Sequence, residues 1–230
     1  MHNANREQLI AAARLLRPLL DELVFVGGCA TGLLIDEEAA PSVRPTYDVD
    51  AIAEITSYAA YASFSARLRQ PGFVEDTREG APVCRWLQDR TTLDVMPLAE
   101  DVFGFSNRWY AAAMKTAAAF ELEPKLTIRL VTAPCFVATK LEAFRKRGRN
   151  DFLGSRDLDD VMSVVDGRPG LVSEIEAQSA ELRRYIRAEF GRLLRSTRFL
   201  DALPGFLPPD AASQARIGIV MARMEELARS

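Results

Sequence analysis

Two aspartates separated by one residue, Asp48 and Asp50, have the types and spacing that point most directly to chemistry. Side chains alternate along a strand, so an Asp-x-Asp run in a strand places both carboxylates on one face. Two like charges this close repel each other, and a cation between them relieves the cost. Mg²⁺ prefers carboxylate oxygens and substrate phosphates, and Mn²⁺ has similar preferences. The pair therefore predicts a Mg²⁺ site, with Mn²⁺ as an alternative, and together with the glycine pair Gly27-Gly28 upstream it indicates a nucleotide as substrate.

A third carboxylate, Asp94, lies in a second strand-like run, residues 91–96. If this strand neighbours the first, the three aspartates converge on one point. Such a cluster can hold one or two metal ions and a triphosphate for in-line displacement. Asp94 would then be placed to accept the proton of an attacking hydroxyl. The competing interpretation is that these aspartates only solvate turns at strand ends.

A glycine pair, Gly27 and Gly28, follows a short apolar run that predicts a buried strand. Backbone N–H groups at such a turn can face a phosphate. The spacing of the following residues fits neither a dinucleotide-binding fingerprint nor a P-loop. A glycine pair alone is also typical of a simple tight turn, so its interpretation depends on the aspartates downstream.

The composition excludes several classes of protein. The chain has one histidine, His2, which argues against Ser-His-Asp hydrolysis, Cys-His proteolysis and histidine-ligated zinc. The three cysteines are widely spaced and odd in number, which favours a reducing cytoplasm over a disulfide framework. The sequence has neither an apolar run long enough for a membrane span nor a signal-peptide layout. A net charge of −3 excludes a uniformly basic nucleic-acid binder but not a local basic face.

Hydrophobic patterning predicts an α+β fold with a mixed α/β N-terminal part, residues 1–133, and a helical C-terminal domain, residues 134–230. Predicted strands cover residues 23–26, 48–55, 83–87, 91–96 and 127–131. Predicted helices cover residues 5–20, 30–35, 57–69, 134–147, 155–166, 171–200 with an interruption allowed, and 210–228. Residues 107–123 are ambiguous.

Lys140 adjoins the apolar stripe of the predicted helix 134–147. A lysine seldom faces inward without a partner, and a triphosphate is a suitable one. A stem that snorkels and keeps its ammonium in water explains the position equally well. Asp157, near the start of the next helix, suits the positive end of the helix dipole and could hold Lys140 or Arg145 in place.

One side of the predicted helix beginning near residue 180 is rich in arginine. Its members are Arg184, Arg187, Arg192, Arg195 and Arg198. Such a stripe is usually a solvated face, and it could also guide an RNA backbone.

Five elements in this order resemble the motifs of AbiEii/AbiGii-type toxin nucleotidyltransferases, within the polymerase-β-like nucleotidyltransferase superfamily. The elements are Gly27-Gly28, Arg44-x-Thr46-x-Asp48-x-Asp50, Asp94, Lys140 with Arg145, and Arg156-Asp157-x-x-Asp160. The resemblance covers residues 22–166 and implies a nucleotidyltransferase core with a mixed sheet, followed by a helical domain. Cys29 departs from it, since many superfamily members have serine after the glycine.

The resemblance also implies roles for individual residues. Asp48, Asp50 and Asp94 are expected to be catalytic and to bind the metal. Nucleotide binding is expected of Gly27, Gly28, Thr31, Thr46, Lys140, Arg145 and Asp157.

The function that we expect is Mg²⁺-dependent transfer of an NMP from an NTP such as ATP to an acceptor hydroxyl. The acceptor would be an RNA 3′ end, for example of tRNA, or a protein side chain. The resemblance adds that the protein could be the toxin of a toxin–antitoxin system, with an antitoxin partner. Two alternatives stay open: an Asp-x-Asp glycosyltransferase, and a catalytically silent module that binds a nucleotide or a protein partner.

Overall fold

A computed structural model describes residues 4–148 and 150–229, so His2 lies outside the described residues. These residues cluster into two compact units. The first contains residues 4–32 and 44–132, and the second contains residues 33–43, 133–148 and 150–229.

The first unit is built on one mixed sheet, which has seven strands within the described residues. The strands are β1 (Leu23–Val26), β2 (Val49–Ala53), β3 (Val74–Glu75), β4 (Arg85–Gln88), β5 (Thr91–Pro97), β6 (Ala118–Glu123) and β7 (Leu126–Leu130), in the order β3-β4-β5-β2-β1-β7-β6. Strand β2 runs parallel to β5, and β1 runs parallel to β7, whereas the other neighbours are antiparallel. The helices of this unit are α1 (Ala4–Leu15), α2 (Gly27–Thr31), α3 (Tyr58–Arg69), α4 (Glu100–Phe103) and α5 (Tyr110–Thr116). The predicted α+β class is confirmed.

The centre of the sheet supplies the core of the first unit. All four residues of β1 are buried, and Phe25 and Ile52 are fully inaccessible to solvent. On the neighbouring hairpin Trp86 and Leu93 are likewise fully buried. Replacing Phe25 by alanine would cost about 3–5 kcal/mol, since a cavity would remain in a closely packed interior. This buried centre of the sheet carries the candidate site.

Three boundaries in the first unit differ from the prediction. The helix expected over residues 5–20 ends at Leu15, and a 3₁₀ helix, Arg17–Glu22, follows. Pro18 explains the change, because proline lacks an N–H and its ring clashes with the preceding turn. The helix expected at 30–35 forms earlier, as α2. Asp48 stands just before β2 rather than inside it.

The second unit is helical throughout its regular structure. Its helices are α6 (Ala133–Arg147), α7 (Arg156–Gly167), α8 (Leu171–Glu176), α9 (Ala180–Leu194), α10 (Thr197–Ala202), α11 (Ala211–Gln214) and α12 (Ile217–Leu227), with a 3₁₀ helix at Leu203–Phe206. The stretch predicted as 171–200 divides where two serines act as N-caps. Ser179 accepts a hydrogen bond from the Leu182 N–H, and Ser196 accepts one from the Phe199 N–H. Within the described part of the chain, no helix combines the length and the apolar character needed to cross a membrane.

Candidate active site

The register of the sheet places Asp50 and Asp94 side by side. Asp50 of β2 is the partner of Asp94 in the parallel strand β5. Residues paired across strands share a face of the sheet, and so do residues two apart along a strand. Asp48 precedes β2 by one residue, and its spacing from Asp50 places it on the same face of the sheet. The condition on which the sequence argument depended, that these two strands are neighbours, is met.

Arg85 completes this row of charged side chains. It lies in β4 directly opposite Asp94. Its Nε donates to Asp94 Oδ1 at 2.8 Å, and its Nη2 donates to Asp94 Oδ2 at 2.7 Å. The same Nη2 also donates to Asp48 Oδ2 at 3.0 Å. The hydrogen bonds with Asp94, followed by the charges of Asp94 and Asp48, raise the pKa of Arg85 even though burial lowers it.

Sequence reasoning missed Arg85, although a signal was present. The hairpin was predicted, and its two-residue turn pairs Gln88 with Thr91. Counting back from that pair places Arg85 opposite Asp94. The turn length and the alternation of the two strands therefore specify Arg85 as the cross-strand partner of Asp94.

The position of Asp48 is fixed by a hydroxyl and a thiol. Thr46 Oγ1 donates to Asp48 Oδ1 at 2.8 Å, and Cys29 Sγ donates to the Asp48 main-chain oxygen at 3.0 Å. Cys29 is buried, with 1% of its surface exposed. The cysteine that replaces the expected serine thus supports the backbone of Asp48.

Asn5 holds the segment that leads into Asp48. Its Nδ2 donates to the Arg44 carbonyl at 2.9 Å, and its Oδ1 accepts from the Thr46 N–H at 3.0 Å. The side chain is almost completely buried in α1. Nothing in the sequence marks Asn5 as part of the site, because its partners lie about 40 residues away.

The glycine pair makes room for charged side chains. Gly27 has a φ of +72°, and a Cβ there would lie 1.8 Å from Asp50 Oδ2. At Gly28 a Cβ would lie 3.2 Å from Arg44 Nη2. The pair therefore lets Asp50 and the segment before Asp48 approach the backbone at the end of β1. Thr31, the last residue of α2, is buried, and its hydroxyl has no hydrogen-bond partner among the residues described.

Cys84, next to Arg85 in the chain, is buried close to the same carboxylates. Burial is the largest effect on this thiol, and the charges of Asp94 and Asp50 add to it; together they raise the pKa of Cys84 to about 12. The group therefore stays protonated at neutral pH and is a poor nucleophile.

The donor set suits Mg²⁺ in type, since Asp48, Asp50 and Asp94 offer only carboxylate oxygens. Across the described ranges, however, no group of three or more His, Cys, Asp or Glu side chains is arranged so that it could hold a metal ion. In this arrangement the Arg85 guanidinium bonds Asp48 and Asp94, and Asp50 lies against Gly27. The guanidinium thus supplies the positive charge that the carboxylates require.

The other predicted nucleotide-binding residues belong to the second unit, where they form ion pairs. Lys140 Nζ lies 2.7 Å from Asp160 Oδ2 and 3.4 Å from Asp157 Oδ1. Arg147 donates to both oxygens of Asp157 at 2.8 and 2.9 Å. Burial by itself raises the pKa of Asp157, but Arg147 and Lys140 outweigh it and hold the pKa below its usual value. Asp157 therefore holds Lys140 and Arg147, whereas Arg145 pairs with Glu189 at 3.3 Å.

The arginine-rich stripe lies on α9 and continues into α10. Most of its members are exposed: Arg184, Arg187, Arg195 and Arg198. Arg192 is half-buried and pairs with Glu189 at 2.9 Å. The opposite side of α9, with Leu182, Ile186 and Phe190, is buried as predicted. An RNA contact of the stripe stays a prediction.

Comparison with known proteins gives matches at the level of structure. No family model matches the chain. No curated protein matches it either. Among solved structures it is similar to an antigenic nucleotidyltransferase-like protein from Paracoccidioides brasiliensis, with a TM-score of 0.52 and 18% identity over 88% of this chain and 92% of that one. It is also similar to JHP933 from Helicobacter pylori, with a TM-score of 0.46 and 12% identity over 97% of this chain and 93% of that one.

The two structural similarities do not support the same conclusions. A TM-score of 0.46 is too low to carry an argument. The first similarity, at 18% identity, establishes the fold but neither a family nor an activity. The chain therefore has the fold of nucleotidyltransferase-like proteins.

Proposed function

We propose that this protein is a nucleotidyltransferase, which moves a nucleoside monophosphate from an NTP to an acceptor hydroxyl and releases pyrophosphate. One observation carries the proposal: Asp50 and Asp94 are partners in adjacent parallel strands, and Arg85 joins Asp94 to Asp48. Carboxylates grouped on neighbouring strands suit in-line displacement at phosphorus. The nucleotidyltransferase-like fold is consistent with this chemistry.

The proposed roles follow from the contacts. Asp48, Asp50 and Asp94 would hold Mg²⁺ or Mn²⁺, and the bound ion supplies positive charge that neutralises the triphosphate. Thr46 orients the Asp48 carboxylate through its hydroxyl. Asp94 takes the proton of the acceptor hydroxyl as the new bond to the α-phosphorus forms and the bond to pyrophosphate breaks.

The nucleotide-binding roles are proposals of the same kind. Gly27 and Gly28 leave the backbone at the end of β1 open to close approach, and Thr31 has a hydroxyl that lacks a partner among the described residues. Lys140 and Arg145 are proposed to contact the triphosphate, with Asp157 holding Lys140.

Labelled nucleotides test the proposal. The protein is incubated with each α-labelled NTP, with Mg²⁺ or Mn²⁺, and with either total RNA or a protein lysate. Label in RNA identifies an RNA acceptor such as tRNA, and label in protein identifies a side-chain acceptor. If no product forms with folded protein under any of these conditions, the transferase proposal is wrong.

We further propose that the protein acts as the toxin of a toxin–antitoxin system, as the motif resemblance implies. Growth arrest on expression should then disappear in Asp48→Ala and in Asp50→Ala, provided that both variants accumulate to the wild-type level. Growth arrest that persists in both variants would instead support a module that acts by binding alone.

A further inference from the structure

The helical unit has a concave notch of about 220 Å³ where the end of α6 meets α9. Its walls are Phe144, Arg145, Asn150 and Arg192. Pockets for drug-sized ligands usually measure about 300–1,000 Å³, so the notch suits a single chemical group better than a whole nucleotide. Both of its charged walls are arginines, and the group that fits them is an anion.

The two arginines converge on one carboxylate, that of Glu189 in α9. Arg145 Nη1 donates to Glu189 Oε1 at 3.3 Å, and Arg192 Nε and Nη2 donate to Glu189 Oε2 at 3.0 and 2.9 Å. The Glu189 side chain is 5% exposed, whereas those of Arg145 and Arg192 are 61% and 38% exposed. Glu189 therefore lies beneath the guanidinium groups and orients them, while part of each group stays open to solvent.

This grouping leaves an excess of positive charge at the notch. One arginine is enough to neutralise one carboxylate, and here two share it. A guanidinium has five N–H donors, and within the described part of the chain Glu189 is the hydrogen-bond partner of both side chains. A phosphate group supplies negative charge and several acceptor oxygens, which arginine binds through paired hydrogen bonds.

Arg192 is also held by an aromatic ring. Its Cζ lies 5.9 Å from the centre of the Phe144 ring, and Phe144 is buried. The ring and the hydrogen bonds to Glu189 together restrict the guanidinium. A side chain that is already fixed loses less conformational entropy when it binds a ligand. Arg192 is thus arranged in advance for binding.

The helix dipole does not explain the arrangement by itself. It favours cations in the last turns of α6 and α9, where Arg145 and Arg192 lie. The dipole accounts for their charge, but not for their convergence from two helices on one buried carboxylate. A structural ion pair between the helices would need only Arg145, since Arg192 and Glu189 belong to the same helix.

We propose that Arg145, Arg192 and Asn150 form a phosphate-binding notch, in which Glu189 is the positioning residue for both guanidinium groups. The inference rests on the proposed function for the source of the phosphate, which is the triphosphate of the NTP or a phosphodiester of a nucleic-acid acceptor. It adds Arg192 and Asn150 to the residues that bind substrate.

Binding measured without metal and without turnover tests the notch. The full chain is titrated by calorimetry with a non-hydrolysable NTP analogue and, separately, with a short single-stranded RNA that has no terminal phosphate. Arg145→Gln and Arg192→Gln should both weaken binding of the same probe by about tenfold, because each loses charge-assisted hydrogen bonds. Arg229→Gln removes an exposed arginine that is also paired with a glutamate, and it should bind like wild type.

The affected probe identifies the source of the phosphate. Weaker binding of the NTP analogue indicates the triphosphate, and weaker binding of the RNA indicates a backbone phosphodiester. The proposal is overturned if wild type binds neither probe, or if both notch variants bind the two probes as Arg229→Gln does. Because no catalytic step is measured, an inactive enzyme would leave this result standing, and failure of the notch would leave the transferase proposal standing.

A second measurement covers the case in which a glutamine variant does not fold. In wild-type protein labelled with ¹⁵N, the Nε–H resonances of Arg192 and Arg229 are identified by their absence from Arg192→Lys and Arg229→Lys. Inorganic phosphate should shift the Arg192 resonance and leave the Arg229 resonance nearly unchanged. Equal responses of the two resonances, including no response, would contradict a phosphate site at the notch.

Discussion

At Asp94 one carboxylate has two competing partners. It is held by two hydrogen bonds from Arg85, yet the proposed reaction needs it to bind a metal ion and take a proton. Asp48 is in a similar position, since Thr46 orients one oxygen and Arg85 bonds the other. The residues around the aspartates therefore set how readily the site can act.

The Cys84 thiol should make the stability of the protein fall at high pH. Burial and the charges of Asp94 and Asp50 raise its pKa to about 12 in the folded state, from an ordinary value of 9.0 that applies to the unfolded chain. Below pH 9 the thiol is protonated in both the folded and the unfolded state, so it makes its full contribution to the free energy of unfolding. As the pH rises from 9 towards 12, the unfolded chain loses the proton first and the free energy of unfolding decreases.

Urea unfolding between pH 8 and pH 11 checks this prediction. Other groups also titrate in that range, so the slope for wild type is compared with the slope for Cys84→Ala. In Cys84→Ala the free energy of unfolding should decrease less over this pH range than in wild type. Equal slopes would mean that the surroundings of Cys84 do not raise the pKa of its thiol.

Asn5 should matter for both stability and the site. Asn5→Ala removes two hydrogen bonds to the segment before Asp48 and leaves buried partners unsatisfied, at a cost of about 1–3 kcal/mol. Asn5→Asp keeps an acceptor for the Thr46 N–H but loses the donor to the Arg44 carbonyl, so an intermediate loss is expected. Urea unfolding should show that stability decreases from wild type to Asn5→Asp to Asn5→Ala. Equal stability of all three proteins would contradict this prediction.

The residues of the candidate site divide according to how local their signals are. The grouping of Asp50 with Asp94 could be predicted from the sequence, because a two-residue period and two strand-like runs specify a shared face, whereas the catalytic role of Asp48, Asp50 and Asp94 stays a prediction. Asn5 could not be found in this way, because its hydrogen bonds depend on how α1 packs against a distant segment. The ion pairs of Lys140 with Asp157 and Asp160 lie between these cases, since only the pairing with Asp157 was expected.

Among the elements, two glycines in helices should respond to alanine in opposite ways. Gly27, at the start of α2, has a φ of +72°, and an added Cβ would meet the Asp50 carboxylate. Gly27→Ala should therefore lower the free energy of unfolding by more than about 2 kcal/mol. Gly191 lies inside α9, where an added Cβ would meet only the mobile end of Arg195, at 3.2 Å.

Gly191→Ala should stabilise the protein by about 0.5–1 kcal/mol, because alanine favours the helix over the unfolded chain. Chemical denaturation of both variants is the measurement. A destabilised Gly191→Ala would show that the surroundings of Gly191 cannot accommodate an added Cβ.

Helices α6 and α7 are joined by the ion pairs of Lys140. Lys140→Met should reduce stability by about 3 kcal/mol, since Asp157 and Asp160 would remain buried without this partner. Lys146→Met, in the same helix, removes an exposed lysine 3.6 Å from Glu142 and should cost less than about 1 kcal/mol. If Lys140→Met is as stable as Lys146→Met, the ion pairs are not structural, and a nucleotide contact becomes the better explanation of Lys140.

Elements with a strong pattern were predicted well, including the ends of β1, α3 and α6, but the divisions within the stretch 171–200 were not. The β4–β5 hairpin and α3, capped by Ser57, follow from alternation and from a capping residue. The long helix predicted at 171–200 is three helices, because Ser179 and Ser196 each start a new one. In the ambiguous stretch 107–123, strand β6 forms because β7 pairs with it, which is a tertiary effect that local propensity does not contain.

At the scale of the whole molecule, the chain passes between its two units more than once. Residues 33–43 belong to the helical unit, although they lie between two elements of the sheet unit. The contacts responsible are specific: the Gly167 carbonyl accepts from the N–H groups of Asp36 and Glu37, and Arg168 donates to the Leu34 carbonyl at 2.8 Å. No composition change marks this segment, so the sequence suggested a single boundary near residue 134.

Release of pyrophosphate tests the central claim most directly, because every acceptor hydroxyl yields the same product. Wild-type protein is supplied with all four NTPs, Mn²⁺ or Mg²⁺ and cell extract from which small molecules have been removed, and pyrophosphate is measured against Asp48→Asn, Asp50→Asn and Asp94→Asn, each shown to be folded. We predict release by wild type and a loss of at least about 100-fold in each variant. Release at the wild-type rate by any folded aspartate variant, or none by wild type, would contradict the account.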